Sequence, residues 1–267
     1  MVAGVVGAVG NNSIGVVGVN WNVSIMAIKH IGMVDGYTAG HISNVIEGIE
    51  YAIMMKKDKG INIPVISASW KVGEYIQFQA LYDAIASSRD ADILFVAAAG
   101  NDARDDDYYP IYPASYNLTN IISVAATDHY DDLPSWSNYG ASSVDVSAPG
   151  ENINTTFLNN SYRHVGGTSM AAPHVSGLAA LIASTNSSYN YNNIKNLIMT
   201  TVDYKPNFLN KMVTNGRINA YNALSYSPSG MHMLVHSPGN TSRVLKGAPV
   251  EVVASVSDGC LLYTSDA

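Results

Sequence analysis

The chain has 267 residues and a mass of 28.4 kDa, with 47% apolar residues, only 13% charged residues and a formal net charge of -7. That length suits one large domain, or one domain and part of another, and the apolar share excludes an intrinsically disordered chain. A single cysteine, Cys260, excludes a disulfide scaffold; the acidic balance argues against nucleic-acid binding; and no run of 18 apolar residues is present to span a membrane.

The first residues, Met1 to Gly7, are apolar and small, as though the chain were entered midway through a helix. They lack the positive flank of a signal peptide. Val23 to Ile31 (VSIMAIKHI) is a run suited to a buried strand. Between Gly40 and Lys57, the residues Ile42, Val45, Ile46, Ile49 and Ile53 fall on one helical face, with lysines toward the C-terminal end. Pro64 to Trp70 is a second strand, Tyr75 to Ser88 a second helix, and Ile93–Ala98 and Ile121–Ala125 two further strands. Helices thus alternate with near-continuous apolar strands. That is the pattern of an α/β fold, a mostly parallel sheet covered on both faces.

Short strands are expected near Val144–Ser147 and Ile153–Phe157. A helix follows from Thr168 to about Ala183. Its Ala, Leu, Val and Gly content predicts burial all round. Further helices are expected at Tyr191–Thr201 and Asn219–Leu224. After Pro228 the pattern alternates like exposed-face strands. Residues 229–267 therefore read as the start of an incomplete β-rich accessory domain, after a first domain spanning 1–228.

Chemistry concentrates in three segments. In Gly167-Thr168-Ser169-Met170-Ala171-Ala172-Pro173-His174-Val175-Ser176-Gly177 a serine stands at the mouth of a helix of very small residues. Unpaired N–H groups at such a terminus favour developing negative charge. In Ala97-Ala98-Ala99-Gly100-Asn101 a buried strand delivers an amide side chain able to donate to an oxyanion. Ser67-Ala68-Ser69-Trp70 also ends a strand. Ligands of open parallel sheets bind at the carboxyl ends of the strands, so all three segments point to one cleft.

Together with Trp136-Ser137-Asn138-Tyr139-Gly140, the run Asp145 to Gly150 (DVSAPG) and the run Val2 to Val19, these segments resemble the subtilisin-like serine proteases, the subtilases, over about residues 1–225. The resemblance implies a three-layer subtilisin-like fold and a serine-type endopeptidase acting through an acyl-enzyme on Ser169. Asn101 takes the side-chain oxyanion role and the Ser169 N–H is the second donor. It assigns substrate binding to Ser69, Trp70 and Gly73 on one wall and to Ala98, Ala99 and Gly100 on the other. Lys71-Val72 stands where the family has a Gly-rich continuation, which leaves the pocket preference open.

The family order is Asp, then His, then Ser. Met1 falls where the second histidine of an HGTHVAG-like motif would stand, so the catalytic Asp and His are expected upstream of residue 1 and the chain is expected to be a fragment. His164 and His174 are each five residues from Ser169, and neither spacing suits a base oriented by a carboxylate. In subtilisin itself, loss of the histidine costs roughly 10⁶-fold in kcat, so the fragment alone is expected to be almost inert.

Asn11 to Val16 resembles a calcium-binding loop of some subtilases, with Asn12 and the Ile14 and Val16 carbonyls as ligands; an ordinary turn is the alternative. Asp102, Asp105, Asp106 and Asp107 could suit a hard cation, although a solvated acidic loop is the plainer reading. No cofactor is required for the chemistry. The resemblance further implies a polypeptide substrate, an upstream prodomain, a monomer, and a secreted or cell-surface location. A non-catalytic subtilase-like binding protein is the main alternative. An α/β-hydrolase is disfavoured because Gly167-Thr168-Ser169-Met170-Ala171 does not meet the G-x-S-x-G elbow.

Overall fold

The computed structural model describes residues 1–34, 37–72 and 76–226. It opens with a short helix, α1 (Val2–Gly7), and a two-stranded antiparallel pair, β1 (Ile31–Val34) with β2 (Tyr37–Gly40). Helix α2 (Ile42–Lys59) carries Lys56, Lys57 and Lys59 in its last turn and stops at Gly60 in a left-handed conformation, as the helix dipole and C-terminal geometry favour. Next come β3 (Val65–Ala68), α3 (Gln79–Asp90), β4 (Leu94–Ala98), β5 (Ile121–Thr127) and β6 (Val146–Pro149). A hairpin of β7 (Ile153–Phe157) and β8 (Ser161–Val165) leads into α4 (Thr168–Thr185). The described part closes with α5 (Tyr191–Thr200), β9 (Asp203–Tyr204), β10 (Gly216–Arg217) and α6 (Ala220–Ser225).

Among the described residues the central sheet has the order β3-β4-β5-β6-β10-β9. Its neighbours run parallel through β10, and only β9 is antiparallel. Strand alternation divides the core. Phe95 and Ala97 of β4 pack with Ile49 of α2 and Leu81, Ala84 and Ile85 of α3. Leu94, Val96 and Ala98 face Ala171, Ala172, Val175, Leu178 and Ile182 of α4 on the opposite side. The architecture is therefore helix, sheet, helix, with both sheet faces covered. The parallel strands read as continuous apolar runs for that reason. No described helix is long and apolar enough to cross a membrane.

Helix α4 is buried nearly all round, as its small-residue composition predicts. The expected strand at Val23–Ile31 does not form. Residues 23–30 have no regular structure, and Ile25, Met26 and Ile28 are exposed. The physical reason is the lack of a ladder. Among the described residues no strand pairs with the free edge of β3, so this apolar run has no sheet to join. The strand-like pattern expected at 229–267 lies outside the described residues.

Candidate active site

The carboxyl ends of β3 and β4 and the N-terminus of α4 converge on one cleft. A cavity of about 240 Å³ there is lined by Trp70, Lys71, Ala98, Gly100, Asn101, Asp102, Thr168 and Ser169. Gly167 precedes α4 with φ 143 and, having no side chain, does not itself cap the helix. A Cβ at Gly167 would meet Asn101 Nδ2 at 3.3 Å, so glycine lets the helix start close against Asn101.

Asn101 is oriented by Thr168, a residue whose role the sequence did not reveal. The Thr168 N–H and the Thr168 hydroxyl both donate to Asn101 Oδ1, at 2.8 and 2.9 Å. The same hydroxyl oxygen accepts from the Gly100 N–H at 3.1 Å. With Oδ1 saturated, the amide Nδ2 is the end of Asn101 that can donate to a substrate oxygen. The only available signal for Thr168 was its place beside Ser169 in the motif.

Ser169 and Ser69 lock β3 to α4. Ser69 Oγ donates to Ser169 O at 2.8 Å, and Ser169 Oγ lies 3.4 Å from Ser69 O as its donor. The first bond has a clear origin. Pro173 sits four residues after Ser169, inside α4 and beyond its first turn, and has no N–H for that carbonyl. Ser69 supplies the missing donor. Deeper in the helix Ser176 Oγ reaches Ser67 Oγ at 2.9 Å.

Trp70 serves both the cavity and the core: it lines the cleft while its ring makes edge contacts with His30 and Phe95. Ala98 and Gly100 line the opposite wall. Ala99 contributes no side chain to the cavity. It is fully buried with Ala125, Val144, Phe208 and Met212. Gly73 lies outside the described residues. Lys71 and Asp102 meet across the cleft at 2.6 Å.

No histidine is bonded to Ser169 Oγ among the described residues. The His174 ring turns back to Met170 O at 2.8 Å, and burial lowers its pKa. His164 is exposed on β8. The acidic loop departs from a solvated run. Asp106 is only 2% exposed, and Asp107 receives the Ser142 and Ser143 N–H groups. Among the described residues no group of three or more His, Cys, Asp or Glu is arranged to hold a metal.

The loop at 9–17 encloses a cavity of about 250 Å³. Asn12 Oδ1 accepts from the Ile14 N–H at 3.0 Å, an Asx turn. Asn12 and the Ile14 and Val16 carbonyls offer three neutral oxygens, about half of the six to eight that calcium takes. The cavity lining includes no carboxylate. These residues alone do not make a calcium site.

The chain matches the model of the Subtilase family over residues 1–241. The protein belongs to the subtilase family. This subtilase is 38% identical over 203 residues to the "Thermostable alkaline protease" of Halalkalibacterium halodurans, an alignment covering 76% of this chain and 51% of that protein. It is 38% identical over 225 residues to the "Thermophilic serine proteinase" of a Bacillus species, covering 84% and 51%. With "Thermitase" of Thermoactinomyces vulgaris the figures are 38% over 224 residues, 84% and 73%. The subtilase therefore spans about half the length of the first two relatives. Among solved structures it superposes on a protease of Pseudoalteromonas arctica with a TM-score of 0.71 at 28% identity, covering 84% of this chain and 69% of that one. The three-layer fold is the one that structure shares.

Proposed function

We propose that the protein containing this subtilase chain is a serine endopeptidase. The observation that carries the reading is the meeting of Ser169, at the open N-terminus of α4, with an Asn101 amide whose oxygen is tied down by Thr168. Ser169 Oγ attacks the peptide carbonyl carbon and its proton passes to a histidine base. The oxyanion is received by Asn101 Nδ2 and the Ser169 N–H. The amine leaves with that proton, and water then releases the acyl group from Ser169. The base and its carboxylate partner are assigned outside the described residues. In subtilisin, a member of the same family, removing the oxyanion Asn costs about 10²–10³ in kcat, and Asn101→Ala is expected to do the same here.

Ser69 and Trp70, with Ala98 and Gly100 on the opposite wall, are proposed to hold an extended polypeptide substrate; the expected contribution of Gly73 lies outside the described residues. The relatives' protease names support a polypeptide substrate. A secreted or cell-surface location, a monomeric state and an upstream prodomain are proposed from family membership alone. We assign 1–228 to part of a catalytic domain and 229–267 to the start of a β-rich accessory domain. Calcium at Asn12, Ile14 and Val16 is proposed only as part of a shell completed by further oxygen ligands; a chelator would then lower Tm.

The test is fluorophosphonate labelling of the full-length protein. Rapid labelling of Ser169, lost in Ser169→Ala, is the expected result. No labelling, with the fold intact, would overturn the reading in favour of a non-catalytic binding protein. That second reading draws on the lack of a histidine at Ser169 Oγ among the described residues.

A further inference from the structure

The turn that carries Asn101 is gripped by one side chain, Asn138, which is fully buried. Its Oδ1 accepts from the Asp102 N–H at 2.8 Å and the Arg104 N–H at 3.2 Å. Its Nδ2 donates to Ala99 O at 3.2 Å, and its own backbone N–H donates to Gly100 O at 3.0 Å. Gly100, at φ 123, fits because a Cβ there would lie 2.6 Å from Asn138 Nδ2. Asn138 thus holds the chain on both sides of Asn101.

The remaining hydrogen of Nδ2 goes to Asp106 Oδ1 at 2.8 Å. This completes the four hydrogen bonds that an amide can make. A flipped amide would point its NH₂ at two N–H donors, so the acceptor at residue 106 helps fix which way Asn138 faces. Asp106 is itself buried, and its other oxygen, Oδ2, makes no hydrogen bond. The acidic groups around it are Asp102, Asp105 and Asp107. Asp102 is paired with Lys71, and Asp107 receives Ser142 and Ser143. Arg104 belongs to the same loop. On the facing segment the Lys211 ammonium lies 3.7 Å from the centre of the Tyr139 ring. Burial first, and then the three neighbouring carboxylates, push the Asp106 pKa up to about 8 despite the Asn138 bond. The unpartnered oxygen is where a carboxylic acid carries its proton.

We propose that Asp106 is a positioning residue for the oxyanion turn: it fixes Asn138, and Asn138 fixes Ala99 to Arg104 so that Asn101 Nδ2 stays aimed into the cleft beside Ser169. The catalytic meaning rests on the protease reading above. The grip on the turn stands without it.

Amide hydrogen exchange of residues 99–104 tests this on the purified chain, corrected for intrinsic pH dependence and referenced to the β5 amides. In the wild type, protection of the Asp102 and Arg104 amides should fall as pH rises toward 8, by up to about tenfold per pH unit, and level off above it, because opening the loop releases the proton that buried Asp106 holds. Asp106→Asn copies the shape of the neutral acid and should keep that protection at every pH. Asp106→Ala should lose it at every pH. Wild-type exchange in Asp106→Ala, or equal losses in Asp106→Ala and Asp106→Asn, would overturn the proposal. If Asp106→Ala does not fold, identical pH profiles for the wild type and Asp106→Asn overturn it, and divergent ones support it. Hydrolysis by the full-length wild type is scored separately. Its absence would count against the protease reading while the exchange data still decide the role of Asp106.

Discussion

Lys71 Nζ lies 2.6 Å from Asp102 Oδ2, and this ion pair joins the two walls of the cleft beside Ser169. Both side chains are part-exposed, at 39% and 28%, so the pair adds little to folding. Its effect falls on the pocket, because each charge neutralises the other where a substrate side chain would enter. Lys71→Ala should leave Asp102 unpaired and raise kcat/KM for lysyl over leucyl peptides by about tenfold, with Tm nearly unchanged, as an exposed pair allows. Paired peptide substrates and the full-length protein would measure this. An unchanged ratio would show that the pair does not face the bound side chain.

The Ser69–Ser169 bond compensates a missing N–H at Pro173. Ser69→Ala should cost about 1–3 kcal/mol, the usual penalty for leaving such a group unpaired. In a Pro173→Ala background the new N–H can reach Ser169 O, and the same Ser69 substitution should cost less. A urea double-mutant cycle reads this coupling directly. Strict additivity would show that the hydroxyl and the proline are independent.

Thr168 is 1% exposed, and its hydroxyl joins Gly100 to Asn101. Thr168→Val leaves a buried N–H without an acceptor and should lower stability by about 1–3 kcal/mol. The variant should lower kcat more than it changes KM, because it loosens the oxyanion donor. Thr168→Ser keeps the hydroxyl and should recover most of both. Recovery by Val as well would show that only the side-chain volume matters.

Asp106 gives stability a specific pH dependence. An aspartate ionises near 3.9 in an unfolded chain, whereas in the folded protein it does so at about 8. Between those values the folded state holds a proton that the unfolded state has lost. Stability contributed by this group should fall as pH rises through that window and level off above it. His174 acts in the opposite sense: burial lowers its folded pKa, so its contribution rises with pH up to about 6.5, its usual unfolded value. Urea midpoints for the wild type and Asp106→Asn isolate the first effect. The advantage of the variant should grow with pH up to about 8 and then stay constant.

The meeting of Ser169 and Asn101 at one cleft was legible because each stands at the end of an element whose local sequence is decisive. A strand of Phe95-Val96-Ala97-Ala98 stops at Gly100, and a helix of Ala, Gly and Ser starts at Thr168. The packing of α4 was legible for the same reason, since its residues are too small to suit a solvent-facing helix. Val23–Ile31 was misread because an apolar run shows that burial is favourable but does not show which strand provides it. Asp106 was also hidden. In the run Asp102 to Asp107 nothing local separates it from its neighbours, and its burial depends on Asn138, 32 residues further along the chain. The pairing of Ser69 with Ser169 spans 100 residues, a distance over which residue patterns carry no register.

Helix α4 is hemmed in by the sheet and by α1, α5 and α6. Ser169 therefore sits on an element that cannot melt separately from its surroundings. Heat loss of the cleft at Ser169 should then coincide with loss of the whole cooperative unit. Local fraying of the helix start would not precede it, and, on the proposed function, the half-life of activity would become a direct gauge of the global unfolding rate.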